Sequence, residues 1–265
     1  MTEPGNLEPQ GHAEPNVARM YDHLLGGTDN SAIDREAADR VLEILPGILT
    51  GARENRAFLG RAVRFLVRDG VRQFIDIGAG LPTRRCVHEV AAEEAAGCRT
   101  VYVDNDPEVV SYARALLHGT PGVRFLHGDL HAPKEILGHP GVQEHLDLDQ
   151  PVAVLLLTIV HVVADPRPII SDLMASLAPG SHLVLSHMAG SHMPGSHMSG
   201  GVQPAVDQIY QGAPARPAQI AGFFDGLELL PPGVVNLAEW RPESPQLVRA
   251  AGAAPYILCG VARKP

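Results

Sequence analysis

Three aspartates stand at or just past apolar runs in this chain. Asp76 lies within Phe74-Ile75-Asp76-Ile77, which runs into Gly78-Ala79-Gly80. Asp104 closes Val101-Tyr102-Val103, and Asp129 follows Val123–Leu126 in the turn Gly128-Asp129-Leu130. A Gly-x-Gly turn after one strand, with an acid at the end of the next, is how a doubly wound α/β sheet holds an adenosine ribose. The carboxylate accepts the ribose hydroxyls, and the glycines let the backbone approach the ligand.

The surrounding residues discriminate between adenosine cofactors. A dinucleotide fingerprint needs a third glycine for close helix packing, but that position holds Thr83. Pro82 removes an amide where a pyrophosphate would want donors. No Gly-Lys-Ser/Thr follows, so a P-loop is excluded. S-adenosylmethionine has no phosphate and carries a sulfonium and an ammonium group, which suit an acidic rim. On this reading Asp76, Gly78 and Gly80 meet the methionine part. Asp104 takes the ribose, with Asn105 beside it. Asp129 accepts the adenine amino group, and the Leu130 amide reaches a ring nitrogen. Ordinary turn and cap roles remain the alternative for each aspartate.

The elements that would position these residues are legible from pattern. Residues 1–14 read as a flexible tail. Pro15 opens a helix over Asn16–Leu25 that Gly26-Gly27 stops, and helices over Asp34–Leu45 and Arg53–Arg68 follow. Residues 15–70 are thus expected to form a helical cap. From Gln73 strands alternate with helices: Phe74–Ile77, Arg84–Ala96, Thr100–Val103, Pro107–Leu117, Val123–Leu126, Val152–Leu157, Arg167–Leu177 and His182–Ser186. Their apolar, β-branched strands are those of a parallel sheet covered on both faces. Further on, Gln203–Phe224 reads as an interrupted helix. Leu227–Leu230, Val234–Leu237 and Tyr256–Ala262 read as strands, with a helix over Pro245–Ala251 before the last. The expected fold is a doubly wound, mostly parallel, Rossmann-like seven-stranded sheet over residues 71–265. One antiparallel strand lies near the C-terminus, and a helical lid precedes the sheet. Between Ser186 and Gly200 the unit SHMxG occurs three times and matches neither helical nor strand period. A low-complexity loop over 187–201 is expected, with no metal set because no carboxylate or cysteine joins His187, His192 and His197.

Composition narrows the class. The chain has 265 residues, 45% hydrophobic content and a net charge of −9. That supports a full core and disfavours nucleic acid as the main partner. Cys86, Cys98 and Cys259 are scattered without CxxC spacing, as in a reduced, cytoplasmic protein. The polar N-terminus is no signal peptide, and Val152–Ala164 is too short to cross a membrane.

The motifs resemble a known family. Asp76–Gly80, Tyr102-Val103-Asp104-Asn105-Asp106-Pro107 and Gly128-Asp129-Leu130 look like the first three motifs of class I methyltransferases. Pro15-Asn16-Val17-Ala18-Arg19-Met20-Tyr21-Asp22-His23-Leu24-Leu25-Gly26-Gly27, with Asp29-Asn30, Asp34–Ala38, Asn55–Leu59 and Leu81-Pro82-Thr83, is similar to the signature of one particular group. It is an actinobacterial S-adenosylmethionine-dependent methyltransferase family, long described as a domain of unknown function. The resemblance covers residues 15–187 well and the C-terminal strands loosely.

The resemblance implies methyl transfer from S-adenosylmethionine to an acceptor, here expected to be a small molecule. The first helix would fold over the carboxyl edge of the sheet. Arg19 is then the candidate for the methionine carboxylate, with Arg56 second, and Tyr21 would cover the sulfonium with its ring. Surface ion pairs are the plainer alternative for both arginines. In-line transfer needs alignment and exclusion of water, and a base only where the acceptor demands one. His161, just past the fourth strand, is the best-placed base, ahead of His187 and Tyr210. The run Leu157-Thr158-Ile159-Val160-His161 holds no Asn-Pro-Pro-Tyr, which argues against methylation of DNA-base amino groups. Two other readings stay open: a non-catalytic S-adenosylmethionine-binding regulator and a NAD-dependent oxidoreductase.

Overall fold

The computed structural model describes residues 14–83, 85–189, 215–244 and 257–265. Three helices come first: α1 (Val17–Leu24), α2 (Ala32–Ile44) and α3 (Gly47–Arg68). The alternating part runs β1 (Gln73–Ile77), α4 (Val87–Glu94), β2 (Arg99–Asp104), α5 (Pro107–Leu116) and β3 (Val123–His127). It continues through α6 (Pro133–Gly138), α7 (Pro140–Gln143), β4 (Ala153–Leu157), a 3-10 turn at Val160–Val162, α8 (Arg167–Ala175) and β5 (His182–Met188). Then come α9 (Pro217–Gly222), the short β6 (Glu228–Leu229) and β7 (Val235–Asn236), and finally β8 (Ile257–Arg263).

The sheet order is β3-β2-β1-β4-β5-β8-β6, with β7 also pairing on β8. Strands β1 to β5 pair in parallel, and β8 is antiparallel to β5, β6 and β7. The expected seven-stranded path is present, and the eighth strand is the two-residue β7 beside it. The order reverses between β1 and β4, which opens a crevice at the carboxyl edge of the sheet.

Two buried clusters cover the two faces. Along β1, Phe74 belongs to the face carrying α3, α4 and α5, while Ile75 and Ile77 belong to the face carrying α6, α8 and α9. Side chains alternate along a strand, so Asp76 shares the face of Phe74 and looks toward α3. A third cluster joins α1 and α2 through Met20, Leu24, Ala38 and Val41 and reaches Ala52 on α3. Helix α3 therefore packs on both the lid and the sheet.

Several boundaries differ from expectation for local reasons. Helix α3 starts at Gly47, two turns early, because Ile48, Leu49 and Ala52 pack on the lid cluster. Helix α4 starts only at Val87, after Arg85 takes a left-handed φ of 64° and Cys86 caps the helix with Glu89. The first SHMxG unit is not loop: Ser186, His187 and Met188 are the last residues of β5, and Ala189 bridges to Ala215. Their apolar neighbours and pairing with β8 override the repeat pattern. The other two units, with His192 and His197, lie outside the described residues, as do Tyr210, most of the expected helix from Gln203 and all of Pro245–Ala251.

The lid is held by buried carboxylates. Asp22 accepts hydrogen bonds from the Asp29 amide (2.9 Å), Asn30 Nδ2 (2.8 Å) and the Thr83 hydroxyl (3.0 Å). It thus ties α1 to the turn after β1. Asp34 accepts from the amides of Asn16 and Ser31, each at 2.8 Å, and from Arg19 Nε at 3.0 Å. Burial opposes ionisation of Asp34. The Ser31 hydroxyl, these amides and the Arg19 charge outweigh it and hold the group below the ordinary carboxylate range.

A Cβ on Gly27 would overlap the Asp22 carboxylate, whereas one on Gly26 would meet open space at a φ of +76°. Gly26→Ala should cost about 1–2 kcal/mol, the usual penalty of a left-handed Cβ. Gly27→Ala should cost about 3 kcal/mol, because it overpacks and breaks the hub. Urea unfolding of the two variants measures this. Equal losses would remove Asp22 from its anchoring role.

Candidate active site

The turn after β1 carries no side chain beyond the Ala79 methyl. Gly78 and Gly80 have φ of 72° and 61°. A Cβ on Gly78 would lie 2.5 Å from Ile159 Cγ1, and one on Gly80 would lie 3.5 Å from Ala18 Cβ of the lid. The amides of Gly78 and Ala79 donate to the Val103 carbonyl at 2.8 and 3.1 Å. The Gly80 amide donates to Asp104 Oδ2 at 2.8 Å, and the Asp106 amide to Asp104 Oδ1 at 3.0 Å. Asn16 Nδ2 of the lid donates to the Asp106 carboxylate.

Above this turn lies a cavity of about 610 Å³, within the range of small-molecule sites. Of the residues expected to meet a cofactor, Asp76, Gly78, Gly80, Asp104, Asn105 and Tyr21 line it, as do Arg56 and His161. Asp76 is buried, and burial raises its pKa to about 7; the Arg56 charge works against this and the Asp104 charge adds to it. Asp104 is also raised, first by burial and despite the amides of Asp106 and Gly80. The Arg56 guanidinium lies 5.9 Å from the centre of the Tyr21 ring.

Three expected contacts are placed elsewhere. Arg19 does not line the cavity: its guanidinium is taken by Asp34 (3.0 Å) and Glu108 (3.3 Å), so it fastens the lid instead. Asp129 is turned to His131, accepting from its amide (2.9 Å) and pairing with its ring Nδ1 (2.8 Å). Leu130 is buried in the sheet's second cluster. Neither Asp129 nor Leu130 lines the cavity, whereas His131 does. His187 is buried with Nδ1 against the Met188 carbonyl (2.7 Å) and also lies off the cavity, its ring centre 6.3 Å from that of His161. Burial lowers its pKa.

A polar corner at the ends of β4 and β5 was not anticipated. Thr158 follows β4 with a φ of 51°. Its amide donates to Ser186 Oγ at 3.0 Å, and the Ser186 hydroxyl donates to Asn55 Oδ1 at 2.7 Å. Asn55 Nδ2 donates to Thr158 Oγ1 at 3.3 Å and to the Tyr21 hydroxyl at 3.4 Å. Asn55 and Thr158 both line the cavity. Asn55 and Tyr21 fall in segments that resemble the family signature, but no local pattern joins them to Thr158 and Ser186, which lie far away along the chain.

A glycine bend and an acid-lined crevice at the switch point of a doubly wound sheet define a Rossmann-like enzyme that binds an adenosine cofactor. The chain belongs to the S-adenosyl methyltransferase family, whose model matches residues 8–265. The protein is an S-adenosylmethionine-dependent methyltransferase. It is similar to a proposed methyltransferase from Thermobifida fusca (35% identity, 95% of each chain covered, TM-score 0.83). It is likewise similar to a DUF574 family protein from Streptomyces avermitilis (34% identity, 95% of this chain and 98% of that one, TM-score 0.84). The N-methyltransferase NodS from Bradyrhizobium japonicum, solved with S-adenosyl-L-homocysteine, shares the fold at 16% identity (93% of this chain and 99% of that one, TM-score 0.50). No curated protein sequence matches the chain. No helix among the described residues is long and apolar enough to cross a membrane.

Asn55→Ala would leave the buried Ser186 hydroxyl without its acceptor. A loss of about 1–3 kcal/mol is expected. Chemical denaturation reads it directly, and a change below about half a kcal/mol would mean the corner contributes little.

Proposed function

We propose that the cavity holds S-adenosylmethionine against the Gly78–Gly80 turn and aligns it with a small-molecule acceptor. The observation that carries this reading is one cavity lined jointly by the glycine bend, by Asp76 and Asp104, and by Arg56. The cofactor supplies an electrophilic methyl group on a sulfonium. Asp104 would take the ribose hydroxyls with the oxygen lone pairs its two amide donors leave over. Arg56, in place of Arg19, would pair with the amino acid carboxylate, and Asp76 would supply negative charge toward the cationic end. Tyr21 would cover that end, held by its hydrogen bond to the Ala52 carbonyl at 3.2 Å. Asn105 and His131, rather than Asp129 and Leu130, would border the base. His161, on the turn after β4, is the candidate to receive a proton from the acceptor. The small size of the acceptor is supported by the cavity's volume of about 610 Å³, which the cofactor would share.

Asp104→Ala should weaken S-adenosylmethionine about tenfold or more, the worth of hydrogen bonds to a charged group. Calorimetry tests this, and unchanged affinity would remove the ribose assignment. Formation of S-adenosylhomocysteine with a panel of small hydroxyl and amine acceptors tests the acceptor class.

The raised pKa of Asp76 yields a pH test. Below about pH 7 the group is mostly protonated in the free protein. A sulfonium favours its ionised form, so affinity should rise as pH climbs through about 7. S-adenosylhomocysteine shares every other group but has a neutral sulfur. The ratio of the two affinities should therefore rise from about pH 6 to about pH 8, and Asp76→Asn should flatten it. A ratio that is level in the unaltered protein would place Asp76 away from the sulfur.

A further inference from the structure

We propose that the methyl acceptor is an uncharged molecule with an apolar body, seated over the ends of β4, β5 and β8. This deepens the functional reading above and rests on its placement of the cofactor.

Strand order sets the argument. Along the carboxyl edge the sheet presents β2, β1, β4, β5 and β8 in turn. The cavity takes Asp104 from β2, Asp76 from β1, Leu157 from β4, Met188 from β5 and Ile257 from β8. Met188 and Ile257 are register partners, so they sit side by side at that edge. Four strand spacings of about 4.8 Å give a rim about 19 Å long. The charged lining groups gather at one end of it. Asp76, Asp104 and Asp106 belong to the β1–β2 end, and the Arg56 charge acts on Asp76.

The other end is roofed by apolar residues of the α2–α3 turn, chiefly Leu45, Pro46 and Ile48. Gly51 brings α3 down onto it, since a Cβ there would lie 3.1 Å from Ile257 Cδ1. Among the described residues, the polar groups near this end are Asn55 and Thr158, which hydrogen-bond to each other, and His161. A charged acceptor would lose its hydration here and meet no counter-ion among the described lining residues. An apolar body would bury its surface and bring one heteroatom to the His161 corner.

Calorimetry on the full-length protein saturated with S-adenosylhomocysteine tests this, using 2-naphthol and 2-naphthoate as probes that share one ring system. We expect saturable 2-naphthol binding, at least tenfold tighter than 2-naphthoate. Met188→Glu and, on the roof, Pro46→Glu should each weaken 2-naphthol tenfold or more while S-adenosylhomocysteine binding stays within threefold. The second variant guards against misfolding of the first. Equal affinity for the two probes, no 2-naphthol binding, or indifference to both variants would overturn the inference. Asp104→Ala separates the two levels. If it leaves S-adenosylhomocysteine affinity intact, the cofactor placement falls and this inference with it. If the cofactor arm responds and the naphthol arm fails, only the acceptor assignment falls.

Discussion

The bend from Gly78 to Gly80 is pinned from every side, and the rest of the site is arranged around it. Ile159 occupies the space where a Gly78 side chain would be. The Val103 carbonyl holds the amides of Gly78 and Ala79 from below, and Asp104 holds that of Gly80. The lid comes down against Gly80 through Ala18. A carboxylate that accepts two backbone amides loses little of its capacity, because each oxygen still has a lone pair to offer. Asp104 can therefore fix the loop geometry and remain an acceptor toward the cavity. One residue does both jobs, so the shape of the crevice and its charge cannot be tuned separately.

The lid depends on a second solution to the same electrostatic problem. Buried carboxylates are costly unless hydrogen-bonded, and a half-satisfied one is worse than none. Asp22 and Asp34 are fully buried and each gathers donors from several segments. Further links run from the lid to α5, from Arg19 to Glu108 and from Asp29 to the Tyr112 hydroxyl at 2.8 Å. The lid is thereby committed to one seating over the rim. Asp22, Gly27, Asn30 and Thr83, which all fall in the segments that resemble the family signature, belong to one hydrogen-bonded unit.

The sheet and its carboxyl rim were legible in the sequence because strand and turn chemistry are local. Asp76, the two glycines and Asp104 could be read from a strand, a bend and the next strand end. The role of Arg19 could not. Nothing in its neighbourhood reveals that Asp34 and Glu108 would claim it, since Glu108 lies across the crevice on α5. Asp129 lies off the cavity, and one of its oxygens is engaged by His131, two residues on. The extension of β5 through Met188 was hidden by a repeat whose first copy is set by pairing with β8, not by its own pattern.

Thr158 joins the two halves of the site. A β-branched residue in the left-handed region costs about 1–3 kcal/mol and persists only where its surroundings over-determine it. Here its hydroxyl is bonded to the Leu157 carbonyl at 2.8 Å, its amide to Ser186, and its oxygen to Asn55. The turn this conformation makes sends the chain sharply off β4. It drops Ile159 onto Gly78, on the cofactor side, and brings His161 to the cavity on the other. Asn55 carries the same corner to Tyr21 of the lid. Ile159, which closes over the glycine bend, and His161, the candidate base, thus depend on one strained backbone position.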